Sequence, residues 1–218
     1  MAVPYPSGIV AGDPLILYAA DANNGIFTTP SGWASAASAA AVGGNSLWCS
    51  VFTKAATGSE TGSLTVTSSG SAALVGAIVR YTGAAASPFG AVVSAASGAT
   101  ADTVSSSVTS GVLSPAPGVS DLVVRCYLYG SSNSGTGGTL SNPGGTWATR
   151  LNIVGQTSGG TWNAGLVIAD KVSGTDNQTV TSSPLGGWMI ADVTITAPAT
   201  LSPPYPGLLV SRLRPYFG

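Results

Sequence analysis

Apolar positions recur along this chain with a period of two. In the stretch 74–81, Val75, Ala77, Val79 and Tyr81 fall on one face and Arg80 on the other. In 188–195, Met189, Ala191, Val193 and Ile195 share a face opposite Asp192. Leu122, Val124, Cys126 and Leu128 alternate with Val123, Arg125, Tyr127 and Tyr129, and Ala164, Leu166 and Ile168 alternate with Gly165, Val167 and Ala169. A two-residue period predicts half-buried strands, with Arg80 and Asp192 on a face where charge reaches water. Gly/Ser/Asn/Pro clusters at 21–32, 56–63, 130–146, 155–160 and 173–178 read as loops. The Ala/Ser-rich stretch from Ala34 to Val42 has no amphipathic stripe, so no helix is predicted there. Strands at intervals of about 8–15 residues with turn signals between them predict an all-β sandwich or barrel.

The pattern is written twice. Thr65-Val66-Thr67-Ser68-Ser69 and Thr179-Val180-Thr181-Ser182-Ser183 are identical and 114 residues apart, as are Trp33 and Trp147, each just after a Pro/Gly turn. Asp13-Pro14-Leu15-Ile16-Leu17 is echoed by Asp121-Leu122-Val123-Val124-Arg125, and each copy opens on Pro-x-Pro, at Pro4-Tyr5-Pro6 and Pro115-Ala116-Pro117. The period is too long for a solenoid. A sheet of about four strands with one apolar face must bury that face, and the other half is the nearest surface. The expectation is therefore a jelly-roll-like two-sheet β-sandwich over residues 1–198, with an internal repeat of 4–83 and 115–197. Two separate small sandwiches would each be marginal.

Residues 199–218 lie outside the repeat. Pro203, Pro204, Pro206 and Pro215 forbid helix and central strand. Tyr205, Leu208, Leu209, Leu213, Tyr216 and Phe217 are too apolar for a free tail, and Arg212 and Arg214 lie among them. Twenty residues reach at most about 65 Å when extended. These eight residues are the candidate partner contacts of an extended C-terminal arm that docks on a neighbouring subunit; the alternative is a strap across its own sandwich.

Composition narrows the function. Charged residues make up 7% of the chain and the net charge is −1, with no basic run, so nucleic acid and acidic membrane surfaces find no footprint. No apolar run is long enough to span a bilayer, and the N-terminus lacks the basic and apolar regions of a secretory signal. A sheet protein with so little charge has few means of guarding its edges, which suits a component of an assembly.

Candidate chemistry is sparse. The chain has no histidine, which removes His-based nucleophile activation and His-ligated metal sites. No catalytic, metal or cofactor residue is assigned, and no cofactor is expected. Asp13 and Asp121 occupy equivalent places before equivalent strands, where Asp supports a turn by bonding backbone N–H groups. Lys54 and Lys171 fall at matching strand ends and read as edge or rim residues. Cys49 and Cys126 read as buried free thiols, the alternative being one bridge between the sheets. Trp33 and Trp147 are either packed beneath their turns or exposed for stacking on sugar rings.

Gly12-Asp13-Pro14-Leu15-Ile16-Leu17, Pro30-Ser31-Gly32-Trp33, Val51-Phe52-Thr53-Lys54-Ala55-Ala56 and Gly76-Ala77-Ile78-Val79-Arg80-Tyr81-Thr82-Gly83 occur in that order. The series resembles a pattern of minor tail and other virion structural proteins of tailed bacteriophages. The second half keeps Asp121, Pro143-Gly144-Gly145-Thr146-Trp147 and Ala169-Asp170-Lys171, but has Ile195-Thr196 where the pattern has Tyr-x-Gly. The resemblance spans about residues 12–196 and leaves out the arm. It implies a non-enzymatic structural protein of the virion, a capsid decoration or minor tail protein. Its partners would be other copies of itself and other virion proteins, with host surface glycan as a further contact. A carbohydrate-binding module or host-surface adhesin, using exposed aromatic residues, is the alternative expectation.

Overall fold

The computed structural model describes residues 1–22, 25–41, 47–70, 73–97, 104–108, 111–131, 139–141, 147–158, 162–173, 178–182, 187–198 and 216–217. The described residues are all β. The first half contributes β1 (Ala2–Pro4), β2 (Pro14–Asp21), β3 (Ala34–Ala41), β4 (Leu47–Ala55), β5 (Ser63–Thr65) and β6 (Leu74–Arg80). Then come β7 (Phe89–Ser97), β8 (Val104–Val108), β9 (Leu122–Ser131), β10 (Thr139–Ser141) and β11 (Ala148–Ser158). The order closes with β12 (Trp162–Val172), β13 (Gln178–Ser182), β14 (Gly187–Ile195) and β15 (Tyr216–Phe217). Ala34–Ala41, with no stripe for a helix, is a strand, and the loops expected around 130–146 and 155–160 are shortened by β9, β10 and β11.

Two five-stranded antiparallel sheets dominate. One runs β15-β6-β2-β4-β3 and the other β11-β12-β9-β14-β7. Aligned by the repeat, β2, β3, β4 and β6 correspond to β9, β11, β12 and β14, and the four strands lie in the same order in both sheets. Each half thus builds one sheet, and the two sheets face each other as a sandwich.

The duplication extends further than its spelling. β1 pairs with β5 at Val3↔Leu64, and β8 pairs with β13 at Val108↔Gln178, so β8 is the second half's β1. The strand after each half's last sheet strand crosses over: β7 follows β6 but pairs with β14, and β15 follows β14 but pairs with β6. Each half lends an edge strand to the other's sheet.

Between the sheets lies the main core. Ile16, Tyr18, Cys49, Val51, Val75 and Val79 from one sheet meet Val124, Cys126, Leu128, Leu166, Ile168, Met189 and Val193 from the other. Those of β6, β9, β12 and β14 are the inward faces predicted from the period of two. Each apolar side chain fully withdrawn from water there contributes about 1.5–3 kcal/mol before entropy is counted.

The outward faces are buried as well, and this overturns one expectation. Leu15, Leu17, Phe52, Ile78 and Trp33 are covered by Val3 of β1, Phe27 and Val66. On the other sheet, Val123 and Ala169 pack with Ala91, Leu113 and Trp147, and Tyr127 and Tyr129 pack with Ile190. Arg80 and Asp192 therefore do not reach water. They are 6% and 0% exposed, and each is neutralised by a partner on a neighbouring segment.

Candidate functional site

Charge gathers at one end of the sandwich, where β2 and β9 begin. Tyr81 ties the two sheets together there: its N–H donates to the Pro14 carbonyl in one sheet, and its hydroxyl donates to Asp170 Oδ2 in the other at 3.1 Å.

Two equivalent Asp turns build this end. The Val10 N–H donates to Asp13 Oδ2 at 3.0 Å, and the Gly118 N–H donates to Asp121 Oδ2 at 2.8 Å. The Asp13 carbonyl accepts from the Ala56 N–H, and that of Asp121 from the Ser173 N–H. Both aspartates support their turns as expected. They differ in the second oxygen-bound partner. Asp13 receives Arg80 Nε at 2.7 Å, while Asp121 Oδ1 receives the Ala197 N–H at 2.9 Å. Arg80 also donates from Nη1 to the Ser7 carbonyl.

Asp170 gathers three bonds. Beyond Tyr81 it takes a bidentate pair from Arg150, Nε to Oδ2 at 2.8 Å and Nη2 to Oδ1 at 2.9 Å. The bond to Asp170 holds the Arg150 guanidinium more firmly protonated than usual. Burial, followed by the Asp170 charge and the hydrogen bond to it, pushes the Tyr81 phenol well above its ordinary range. A neutral phenol donating to a carboxylate is a fixed joint between the sheets.

Lys54 and Lys171 are rim residues but not edge residues, since β4 and β12 are both interior strands. Lys54 Nζ lies 2.9 Å from Glu60 Oε1. Burial raises the Glu60 carboxyl. The N–H groups of Thr57 and Glu60 itself, the Lys54 ammonium and the Thr57 hydroxyl outweigh it and bring the group from 4.5 to about 2. Lys171 Nζ sits 5.8 Å from the centroid of the Trp147 ring.

The charges of this end balance: Asp13, Glu60, Asp121 and Asp170 against Lys54, Arg80, Arg150 and Lys171. The carboxylates serve turns and ion pairs, and among the described residues no group of three or more His, Cys, Asp or Glu is placed to hold a metal ion. What the end offers outward is uncharged: exposed Ser7, Thr57, Ser59 and Ser120, with valines among them. Val10, Val119 and Val172 lie in its turns and strand end at 57%, 87% and 38% exposure, and Val112, in the segment leading into β9, is 84% exposed. A neutral rim studded with exposed valines suits contact with another protein surface. No spelling in the sequence marked these valines, because exposure depends on the turns around them.

The sugar-stacking reading of Trp33 and Trp147 is corrected. They are 7% and 6% exposed, Trp33 within the outer core of the first half and Trp147 within that of the second. Arg125 Cζ lies 4.4 Å from the Trp147 ring centroid and takes the place that a sugar would need. Cys49 and Cys126 are free and buried, and burial pushes both thiols well above their ordinary range. Of the arm residues, Tyr205, Leu208, Leu209, Arg212, Leu213 and Arg214 lie outside the described residues. Tyr216 and Phe217 are placed as a strand against β6, at Arg80 and Val79.

Comparisons with protein families, with curated proteins and with solved structures find no match for this chain.

Proposed function

We propose that this chain is a non-enzymatic structural protein of a tailed-bacteriophage virion, a capsid decoration or minor tail protein, which packs on neighbouring virion subunits. The observation that carries the reading is the sandwich end bearing Val10, Val119 and Val172 with Val112 beside it. Its charges are paired among themselves, and its exposed valines gain by leaving water. Two further features support it. Both faces of the inner strands β2, β4, β9 and β12 are already covered, which leaves the ends and the edge strands for contact with other subunits. The ordered series from Gly12 to Gly83 resembles that of tailed-phage virion proteins. Trp33 and Trp147, the two aromatic residues named for the carbohydrate-binding alternative, are buried and do not support it.

The test is immunogold labelling of phage particles purified from a lysate of the strain carrying the gene. Gold on heads or tails is the expected result. Unlabelled particles, with the protein recovered only from the particle-free fraction, would overturn the reading.

A further inference from the structure

Two sheet edges lie side by side on one flank of the sandwich, and among the described residues no strand covers either. β3 closes one sheet beyond β4, and β7 closes the other beyond β14. The antiparallel ladders make β3 run with β2 and β7 run with β9, so both start at the charged end and travel away from it. They are neighbours across the sandwich: Ala36 and Ala37 of β3 and Phe89 and Val92 of β7 border the main core from opposite sheets. The flank is therefore two strands wide.

Sheet edges are ordinarily guarded by Lys, Pro, charge or bulges. The opposite flank follows that rule. β11 breaks register with β12 at two places and carries Arg150, and β6 has Tyr216 and Phe217 on its edge. β3 and β7 are nearly unguarded. Neither Ala34–Ala41 nor Phe89–Ser97 contains a proline or a charged residue. Each breaks register once, near its first residues, which leaves 37–41 and 92–97 in regular ladders. Ala34, Ser35 and Ser38 are exposed, and Val92, Val93 and Ser94 are half-buried. A row of unpaired backbone groups beside a core is a template for strand addition.

We propose that this flank docks a second copy of the chain, β3 against β3 and β7 beside β7, antiparallel about a twofold axis perpendicular to the sheets. Symmetry, geometry and size choose a second copy over a different partner. A twofold contact sets a patch against itself, so any charge on it meets its like near the axis. The two strands without charge are the ones that can meet in this way. A foreign strand added to one edge would leave its neighbour bare, whereas a twofold perpendicular to both sheets extends both at once. Eight residues of β3 alone make a small contact. Together with the nine of β7 they approach the about 20–30 residues a side of a standard interface. Each five-stranded sheet then continues into its copy, and the valine-bearing ends lie at opposite poles of the pair.

The experiment is sedimentation equilibrium of the purified full chain, beside a variant with Ser35→Lys and Ser38→Lys and a control, Val119→Lys, at the valine-bearing end. Both serines are exposed, so lysine there guards the edge without entering the core. The parent and Val119→Lys should be dimers, and the double lysine variant should dissociate at least about tenfold more readily. A monomeric parent overturns the proposal. So does a dimer that withstands the two lysines, or one that falls apart with Val119→Lys instead. Hydrogen exchange on the unsubstituted chain guards against a folding defect in the variants. Amides of 37–41 should exchange more slowly as protein concentration rises, and rates independent of concentration would sink the idea. Neither measurement needs a particle: a monomer leaves the virion reading standing, and unlabelled particles leave this contact standing.

Discussion

Arg125 on β9 and Asp192 on β14 stand directly opposite each other, at the ladder position that Leu17 and Ile78 hold on β2 and β6. The second half has placed an ion pair where the first half keeps two aliphatic side chains. The pair is bidentate, Nε to Oδ1 and Nη2 to Oδ2 both at 2.7 Å, and both residues are 0% exposed. Trp147 packs on Arg125 as Trp33 packs in one cluster with Leu17.

That correspondence supplies a test. Removing one partner of a buried pair leaves a charge in a dry site, so Arg125→Leu or Asp192→Ile should each cost about 3–5 kcal/mol. Replacing both with the first half's residues, Arg125→Leu with Asp192→Ile, should cost much less than either single change, within about 2 kcal/mol of the parent. Urea denaturation of the four proteins measures the coupling. If the double variant loses the sum of the single losses, the two halves do not share a template at this position.

Much of the fold was legible in the spelling, and the parts that were not have physical causes. The inward faces of β6, β9, β12 and β14 follow from a period of two, and Asp13 and Asp121 declared their turns. Arg80 and Asp192 misled because a charge on one face of an alternating strand ordinarily marks water. Here each is cancelled by a partner 67 residues away in sequence, a distance over which one-dimensional pattern carries no signal. β3 and β7 escaped notice because their Ala, Ser, Gly and Val alternate weakly in hydrophobicity. The valine-bearing end was illegible for a different reason: turns, not periodicity, decide which valines stay in water.

Glu60 should behave as an acid-sensitive clamp. Its carboxyl titrates at about 2 in the folded protein instead of 4.5. A depressed folded value means that its stabilisation is complete above about pH 4.5 and fades as pH falls towards 2. Carboxyl carbon shifts in an NMR titration should place the midpoint near 2. Lys54→Met should move that midpoint upward, because one of the groups favouring the charged form is gone. An unchanged midpoint would mean that the backbone donors of Thr57 and Glu60 do all the work.

The two thiols should be silent in the native state. Both lie in the core between the sheets, and burial disfavours the reactive thiolate. A water-soluble thiol reagent should therefore find neither Cys49 nor Cys126 in the folded protein and both after unfolding. Rapid labelling of either one without denaturant would show that the sheets part more readily than their packing allows.

Tyr18 and Tyr81 make a matched contrast, since both are 0% exposed in the core between the sheets. The Tyr81 hydroxyl donates to a carboxylate, whereas the Tyr18 hydroxyl has no hydrogen-bond partner among the described residues. A buried polar group without a partner carries its desolvation cost uncompensated, about 1–3 kcal/mol, while a bond to a charged acceptor is worth about 1.5–3 kcal/mol. Tyr81→Phe should then destabilise by about 1.5 kcal/mol or more, and it loosens the one tyrosine that joins the start of β2 to Asp170 on β12. Tyr18→Phe removes only the uncompensated oxygen and should leave stability unchanged or raise it by about 1 kcal/mol. Thermal unfolding of the two variants side by side decides the matter, because the same atom is deleted from the same core. Equal losses would mean that Tyr18 has a partner of its own, and the inner face of β2 would have to be redrawn around it.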